Sequence, residues 1–321
     1  MKILVLGCGS IGSRHAKNLK SLGIKNLILC DADSKKVKLL GKSLSIKHQF
    51  NDYKLAVKEN KDIKAAIICT PSSFHIEPAI FFAKNKINLF IEKPLSNNLK
   101  GVKGLSKLSS KNNLFVMMGH AYMFEKGFIK LKSLLEKNTI GDVYNATYLQ
   151  GQYLPDWHPW ADYRHEYTAN KKLGGGALLT LTSHTFYVIE WLFGRIQKID
   201  GSSIGKRGPL NVDTDDNVFL LMKTKNNITV MTRNDFIVRV HQHKIIIEGE
   251  KGRIEYDFVE QQIKLFKHGK QIKIIDVSID NNVRFKNEMK YFLNNMEQKS
   301  ISNNLNLSSG IRFLEITKKL K

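Results

Sequence analysis

Apolar residues come in short unbroken blocks along the first third of the chain, and each block is followed by a stretch with helical spacing. KILVL (2–6) ends in a glycine turn, and residues 12–22 follow as a predicted helix. The alternation recurs with NLILC (26–30) and SKKVKLLGKSL (34–44), then AAIIC (65–69) and a helix from about His75 to Asn85. INLFI (87–91) precedes LKGVKGLSKLSSK (99–111), and LFVMM (114–118) closes the series near Gly119. Strands covered on both faces read as continuous apolar runs, and strands alternating with helices predict a parallel sheet between two helical layers.

The pattern then changes. After a predicted helix near 126–137, DVYNATYLQGQ (142–152) alternates as a half-exposed strand. A loop rich in aromatic and charged residues, 152–172, leads to GGG (174–176) and a helix over about 176–193. NVFLLMKT, ITVMTRNDFIV, HKIIIEGE, GRIEYDFV and QQIKLFKHG read as strands. The tight turns at Lys225-Asn226-Asn227 and Gly249-Glu250-Lys251-Gly252 predict antiparallel neighbours. Helices over about 283–297 and 308–320 close the chain. The expected fold class is α/β, a doubly wound parallel sheet over 1–120, followed by an α+β domain over 121–321. The second domain should hold a large, mostly antiparallel open sheet, and its C-terminal helix can pack back on the first.

The 321 residues carry a formal charge of +22, which could attract nucleic acid, an acidic membrane or anionic metabolites. The lysines are scattered, as at Lys47, Lys54, Lys58, Lys61 and Lys64, and form no basic arm. Diffuse codon bias accounts for them better than a nucleic-acid footprint, so neither nucleic acid nor membrane is an expected partner. MKILVLGC imitates a lipoprotein leader, but its apolar part is too short for one and reads as a first strand. Cys8, Cys30 and Cys69 have no metal spacing, so no metal is expected, and reduced cytoplasmic thiols are the simplest reading.

GCGSIG, from Gly7 to Gly12, lies between the first strand and the first helix. Gly7 permits a tight turn, Gly9 lets a pyrophosphate approach the backbone, and Gly12 lets helix and strand pack closely. Ser10 and Ile11 then open a helix whose free N–H groups suit phosphate. Asp31 ends the second strand, placed to accept hydrogen bonds from an adenosine ribose. This is a dinucleotide-binding (Rossmann) pattern. The acid favours NAD, while Lys35 and Lys36 leave NADP open.

LFIEKPLS (89–96) puts an acid and an amine at the end of an apolar strand, and CTPSSFH (69–75) ends its neighbour. Ligands of a doubly wound sheet bind beyond these carboxyl ends. Lys93 could there stabilise an alkoxide forming on a substrate, and Pro94 would fix the turn, through a cis peptide bond if the turn needs one. Alone, Glu92 and Lys93 would read as a solvated surface pair. Gly7–Gly12, Asp31, Thr70-Pro71, His75 and Glu92-Lys93-Pro94, in this order, resemble the Gfo/Idh/MocA family of NAD(P)-dependent sugar and inositol dehydrogenases. GGGALLTLTSHTFYVIEWLFG (174–194) and LNLSSGIRFLEITKKL (305–320) extend the resemblance over essentially the full length.

The resemblance implies cofactor contacts at Gly7, Gly9, Ser10, Ile11, Gly12, Asp31, Thr70, Pro71, His75, Glu92 and Lys93. It also implies a homodimer or homotetramer joined through the second-domain sheet. On the 176–193 helix, Ala177, Leu181, His184, Val188 and Trp191 share a face by spacing. A core histidine is the plain reading of His184; the resemblance makes it the proton acceptor beside Lys93. Thr180 and Tyr187 stand where the family usually or often has aspartate, and Ala121 and Met123 where it often has Asn and Arg. In the loop, Asp156, Trp157, His158 and Arg164 are further substrate candidates, beside Lys93, Thr180, His184 and Tyr187, and Trp160 and Asp162 could join them. The loop is similar to that of a branch tied to surface-glycan sugars. The expected activity is hydride transfer between a sugar or nucleotide-sugar carbon and a nicotinamide; the alternative is a cofactor-binding sensor or assembly protein without turnover.

Overall fold

The computed structural model describes residues 1–320. Six short apolar segments form one parallel sheet: β1 (Lys2–Leu6), β2 (Asn26–Cys30), β3 (His48–Phe50), β4 (Ile63–Ile68), β5 (Asn88–Ile91) and β6 (Val116–Met118). Their order is β3-β2-β1-β4-β5-β6, so the direction of strand succession reverses between β1 and β4. Every pair is parallel. Helices α1 (Ser10–Ser21), α2 (Ser34–Leu44), α3 (Tyr53–Glu59), α4 (Ile76–Lys84) and α5 (Val102–Lys111) connect the strands. Leu4, Ile28, Ile67 and Phe90 have no accessible surface, as expected of strands covered on both faces.

The chain divides into two compact units. The first holds Met1–Ala121 and Asn282–Lys319, so the second domain expected over 121–321 loses its last two helices to the first unit. These are α8 (Val283–Met296) and α9 (Leu307–Lys319). The Met118 N–H donates to the Leu305 carbonyl at 2.7 Å, which ties the C-terminal segment to the β6 edge. Asn18 of α1 and Asn282, just before α8, exchange side-chain amide hydrogen bonds at 2.8 and 3.3 Å.

The second unit, Tyr122–Asn281, is built on an eight-stranded sheet. In chain order it contains α6 (Lys126–Glu136), β7 (Val143–Gly151), α7 (Ala177–Phe193), β8 (Ile196–Gly205), β9 (Asn217–Thr224), β10 (Thr229–Asp235), β11 (Gln242–Gly249), β12 (Gly252–Asp257), β13 (Gln262–Phe266) and β14 (Lys273–Asp276). The sheet order is β14-β13-β12-β11-β7-β10-β9-β8. Pairs are antiparallel except β7 with β10. The strand expected to run to Val238 stops at Asp235, whose Oδ1 accepts the Ile237 and Val238 N–H groups at 3.1 and 2.9 Å and turns the chain away.

Helix α7 is buried nearly all round rather than along one face, so its spacing gave too narrow an apolar stripe. It begins without a capping side chain of its own. A remote loop supplies one: Asp215 Oδ2 accepts the Leu178 N–H at 2.6 Å, and its carbonyl accepts the Ala177 N–H at 2.9 Å. An acid at a helix N-terminus satisfies orphan donors and complements the helix dipole. Asp215→Ala is expected to cost the second unit about 1 kcal/mol. All three tryptophans, Trp157, Trp160 and Trp191, lie in that unit. Urea unfolding followed by tryptophan fluorescence should therefore show a lower midpoint with an unchanged slope.

Candidate active site

The turn after β1 is set by backbone crowding. Gly7 has φ +95°, and a Cβ on it would sit 2.7 Å from the Cys69 carbonyl carbon and oxygen. A Cβ on Gly12 would lie 1.8 Å from the Gly7 carbonyl oxygen. Neither position admits a side chain, which fixes the β1 turn against α1 and the end of β4. Gly9 is different: a Cβ there meets nothing within 4 Å. Its freedom from neighbours leaves room for a group that must approach the backbone. Ser10 and Ile11 follow in the first turn of α1, which has no side-chain cap and no acidic residue. Uncapped N–H groups and an open Gly9 are what a dinucleotide pyrophosphate requires.

Asp31 lies beside this turn. Its Oδ2 accepts the Cys8 N–H at 2.6 Å and its Oδ1 accepts the Asp33 N–H at 2.9 Å. Each oxygen keeps lone-pair capacity for a ribose hydroxyl. Lys36 lies 3.8 Å from Asp33, and Asp33 also accepts the Lys35 backbone N–H at 2.9 Å.

The loop after β4 and the turn after β5 are joined through His75. Its Nε2 is 2.7 Å from the Thr70 carbonyl oxygen and its Nδ1 is 3.0 Å from that of Pro94. Burial lowers the His75 pKa despite these two acceptors. The imidazole is 1 % exposed, so it is a brace between loops and presents no surface to a cofactor. Thr70 and Pro71 are half-buried at the rim. The Lys93–Pro94 bond is cis. Glu92 is buried, with Oε1 2.7 Å from His15 Nε2 and Oε2 accepting the Lys93 backbone N–H at 3.2 Å. Burial lowers the Lys93 amine to about 8, opposed by the Glu92 charge. An amine near that value exchanges a proton at physiological pH.

In the second unit, His184 is the single residue between Gly174 and Glu190 that is not buried. Its ring lies against that of Tyr122, with centroids 4.4 Å apart and planes tilted by 31°. Gln150 Nε2 donates to the Tyr122 hydroxyl at 3.4 Å, and the Thr185 hydroxyl lies 2.5 Å from Asn234 Oδ1 and 3.2 Å from Gln150 Oε1. Tyr148 and His243 form a buried pair at 2.7 Å on the same inner face of the sheet. This polar bed escaped sequence reading, because Gln150, Thr185 and Asn234 are far apart in the chain and only the packing of α7 on the sheet brings them together.

The other second-unit candidates are placed less favourably for contact with a substrate. Thr180 is 2 % exposed and its hydroxyl donates to the Gly176 carbonyl at 2.7 Å. Tyr187 is buried and packs edge-on against Phe186. Arg164 is already bidentate with Asp162, at 2.6 to 3.0 Å, and that pairing lowers the Asp162 carboxyl to about 2. His158 Nδ1 bonds Glu166. Trp157 packs edge-on against Phe236, whereas Trp160 is 83 % exposed and Asp156 is exposed. The loop is thus largely stapled by its own pairs.

The profile of the oxidoreductase family with an NAD-binding Rossmann fold matches residues 1–120, and that of the GFO/IDH/MocA C-terminal domain matches residues 128–255. The chain belongs to the Gfo/Idh/MocA oxidoreductase family. It is 28 % identical over 270 residues to myo-inositol 2-dehydrogenase of Thermotoga maritima, covering 81 % of this chain and 76 % of that one. It is 25 % identical over 209 residues to 2,7-anhydro-N-acetylneuraminate hydratase of Escherichia coli, covering 64 % and 54 % of the two chains. The WlbA dehydrogenase of Bordetella pertussis, solved with NADH and UDP-GlcNAcA, superposes with TM-score 0.83 at 15 % identity, covering 99 % of this chain and 94 % of that one. As a member of this family the chain is an NAD-dependent oxidoreductase, and the glycine turn, the α1 N-terminus and Asp31 fit that cofactor.

The depressed Lys93 pKa has a consequence for stability. The ammonium is disfavoured in the fold, so below pH about 8 the folded chain bears the full penalty. Between about 8 and the ordinary 10.5, the unfolded chain binds more protons, and stability rises with pH. Lys93→Met is expected to stabilise the protein at neutral pH by about 1 kcal/mol. The gain should shrink as pH climbs through that window, as measured by urea unfolding followed by circular dichroism; a pH-independent difference would contradict the assignment.

Proposed function

We propose that the protein moves a hydride between NAD and a CH–OH carbon of a sugar or nucleotide sugar. The carrying observation is the Lys93 amine, fixed at the end of β5 with its pKa brought down to about 8. In the oxidative direction Lys93 hydrogen-bonds the substrate oxygen and stabilises the negative charge that gathers there as the C–H bond breaks. His184 accepts the hydroxyl proton, and the carbon becomes a carbonyl. Bound NAD supplies the hydride acceptor. In the reductive direction His184 returns the proton.

The nucleotide-sugar alternative draws support from the WlbA neighbour; the T. maritima relative is named for an inositol. A role in surface-glycan sugar synthesis draws support from the relative named for an anhydro-N-acetylneuraminate. The outer face of the large sheet suits a homodimer or homotetramer. Phe219, Leu221 and Met231 lie on it, 41 to 48 % exposed, and Leu149 and Ile246 share the face one strand further along, beyond Arg233 and Thr147. No helix among the described residues is long and apolar enough to cross a membrane. Burial raises the thiols of Cys8 and Cys30 to about 12, and the three free cysteines suit a reducing cytoplasm.

The test is a panel of inositols, free sugars and UDP-sugars with NAD, read as NADH absorbance. Turnover is expected on at least one class. Lys93→Ala and His184→Ala should each lower kcat by about 100-fold or more, with NADH affinity within about threefold. Near-normal rates in both variants would overturn the assignment of these two residues. NADH binding without turnover on any class would favour a cofactor-binding sensor.

A further inference from the structure

Behind the turn that carries Lys93, three ionisable side chains meet inside the first unit. His15 comes from α1, Glu92 from the end of β5 and Glu288 from α8. One ligating atom of each lies within 4.8 Å of the others, and all three residues are buried. Glu92 has partners on both oxygens, the His15 imidazole at 2.7 Å and the Lys93 backbone N–H at 3.2 Å. Glu288 has no accessible surface, and its carboxyl oxygens have no side-chain partner among the described residues; the hydrogen-bonding group beside them is the His120 backbone.

Two carboxylates this close in a dry interior do not both ionise readily; one keeps its proton, and the pair titrates as a unit. The partners decide which. Glu92 holds two bonds that favour an anion, one of them to an imidazole, whereas Glu288 has the His120 backbone alone among the described residues. We propose that Glu288 is kept as the neutral acid, leaving Glu92 as the one negative charge of this cluster beside the amine.

The neighbours on every side agree with this distribution. Burial and the Glu92 charge push the Glu288 carboxyl well above the usual range, against a weaker pull from the His120 backbone and the Arg284 charge. Burial alone would raise Glu92, but the His15 hydrogen bond and the His15 and Lys93 charges outweigh it and hold Glu92 low. From the loop after β4, Cys69 and His75 also feel the Glu92 charge; burial keeps the thiol protonated and favours a neutral imidazole. Burial and the charges of Lys93 and Arg312 lower His120 to about 3, so it adds no positive charge at neutral pH. Glu92 is the acid whose charge acts on Lys93, raising the amine against the burial that lowers it.

That Lys93 takes part in the reaction belongs to the reading above. The protonation of the cluster does not, and its test needs no substrate. Infrared spectra of the full-length protein at neutral pH in D2O should contain a carboxylic-acid carbonyl band that Glu288→Gln removes. Competitive acetylation with acetic anhydride across pH, read by peptide mass spectrometry, gives the Lys93 titration midpoint. Glu288→Gln should leave it within about 0.3 unit of wild type, whereas Glu92→Gln should lower it by roughly one unit or more. If Glu288→Gln does not fold, Glu288→Met serves the same comparison. An unchanged infrared spectrum, together with a Lys93 midpoint that Glu288→Gln lowers as far as Glu92→Gln does, would show Glu288 ionised and overturn the proposal. So would a stoichiometric divalent ion that survives EDTA dialysis in wild type and is lost in Glu288→Gln, because a coordinating Glu288 is ionised.

Discussion

The structure of the first unit rests on a close approach that admits no side chain. At Gly12 even a methyl group would fall 1.8 Å from the Gly7 carbonyl oxygen, and at Gly7 it would strike the backbone of Cys69. These contacts bring the ends of β1 and β4 and the start of α1 to one place. That place is where the strand order reverses, and there the crevice of a doubly wound sheet opens. Gly9, between them, is open on the side a ligand needs. Asp31, Thr70 and the cis turn at Pro94 are arranged around the same set of strand ends, with the His75 ring set between the Thr70 and Pro94 carbonyls of two of their loops.

Much of this was legible because the parallel strands are buried on both faces, and such strands are written as plain apolar runs. The segments that escaped have the opposite character. His48–Phe50 and Lys273–Asp276 are short edge strands with hardly a buried side chain, and Ile196–Gly205 is largely exposed and polar. Tertiary pairing makes them strands, so no local period announced them. Helix α3 is only seven residues long, with two buried. Within the site, the glycines, Asp31 and the Glu92-Lys93-Pro94 turn carried a sequence signal because their spacing is local. Glu288 carried none: a single acid in an amphipathic helix looks solvent-facing until the packing of α8 against α1 is known. His15 was nearer to legible, since it shares the 3.6-residue stripe of Gly12, Ala16 and Leu19.

The loop 151–167 spends several of its polar groups on itself. Its aromatic and charged residues suggested a binding surface, yet several of them bond one another. Arg164 with Asp162, and His158 with Glu166, use groups that a substrate would otherwise recruit. On α7, Thr180 has its hydroxyl on a backbone carbonyl, so the helix offers His184 without a carboxylate one turn before it. Electrostatic tuning in this protein is concentrated instead in the first unit, where burial and Glu92 together set the Lys93 amine.

The claim on which the account depends is that the glycine turn and Asp31 hold NAD. A fluorescence titration of the purified protein with NADH, and in parallel with NADPH, tests it most directly. NADH is expected to bind more tightly than NADPH, with a clear loss of that affinity in Asp31→Ala. Tighter binding of NADPH would contradict the role given to Asp31 and shift attention to Lys35 and Lys36. Failure of both to bind near millimolar concentration would contradict the cofactor site itself.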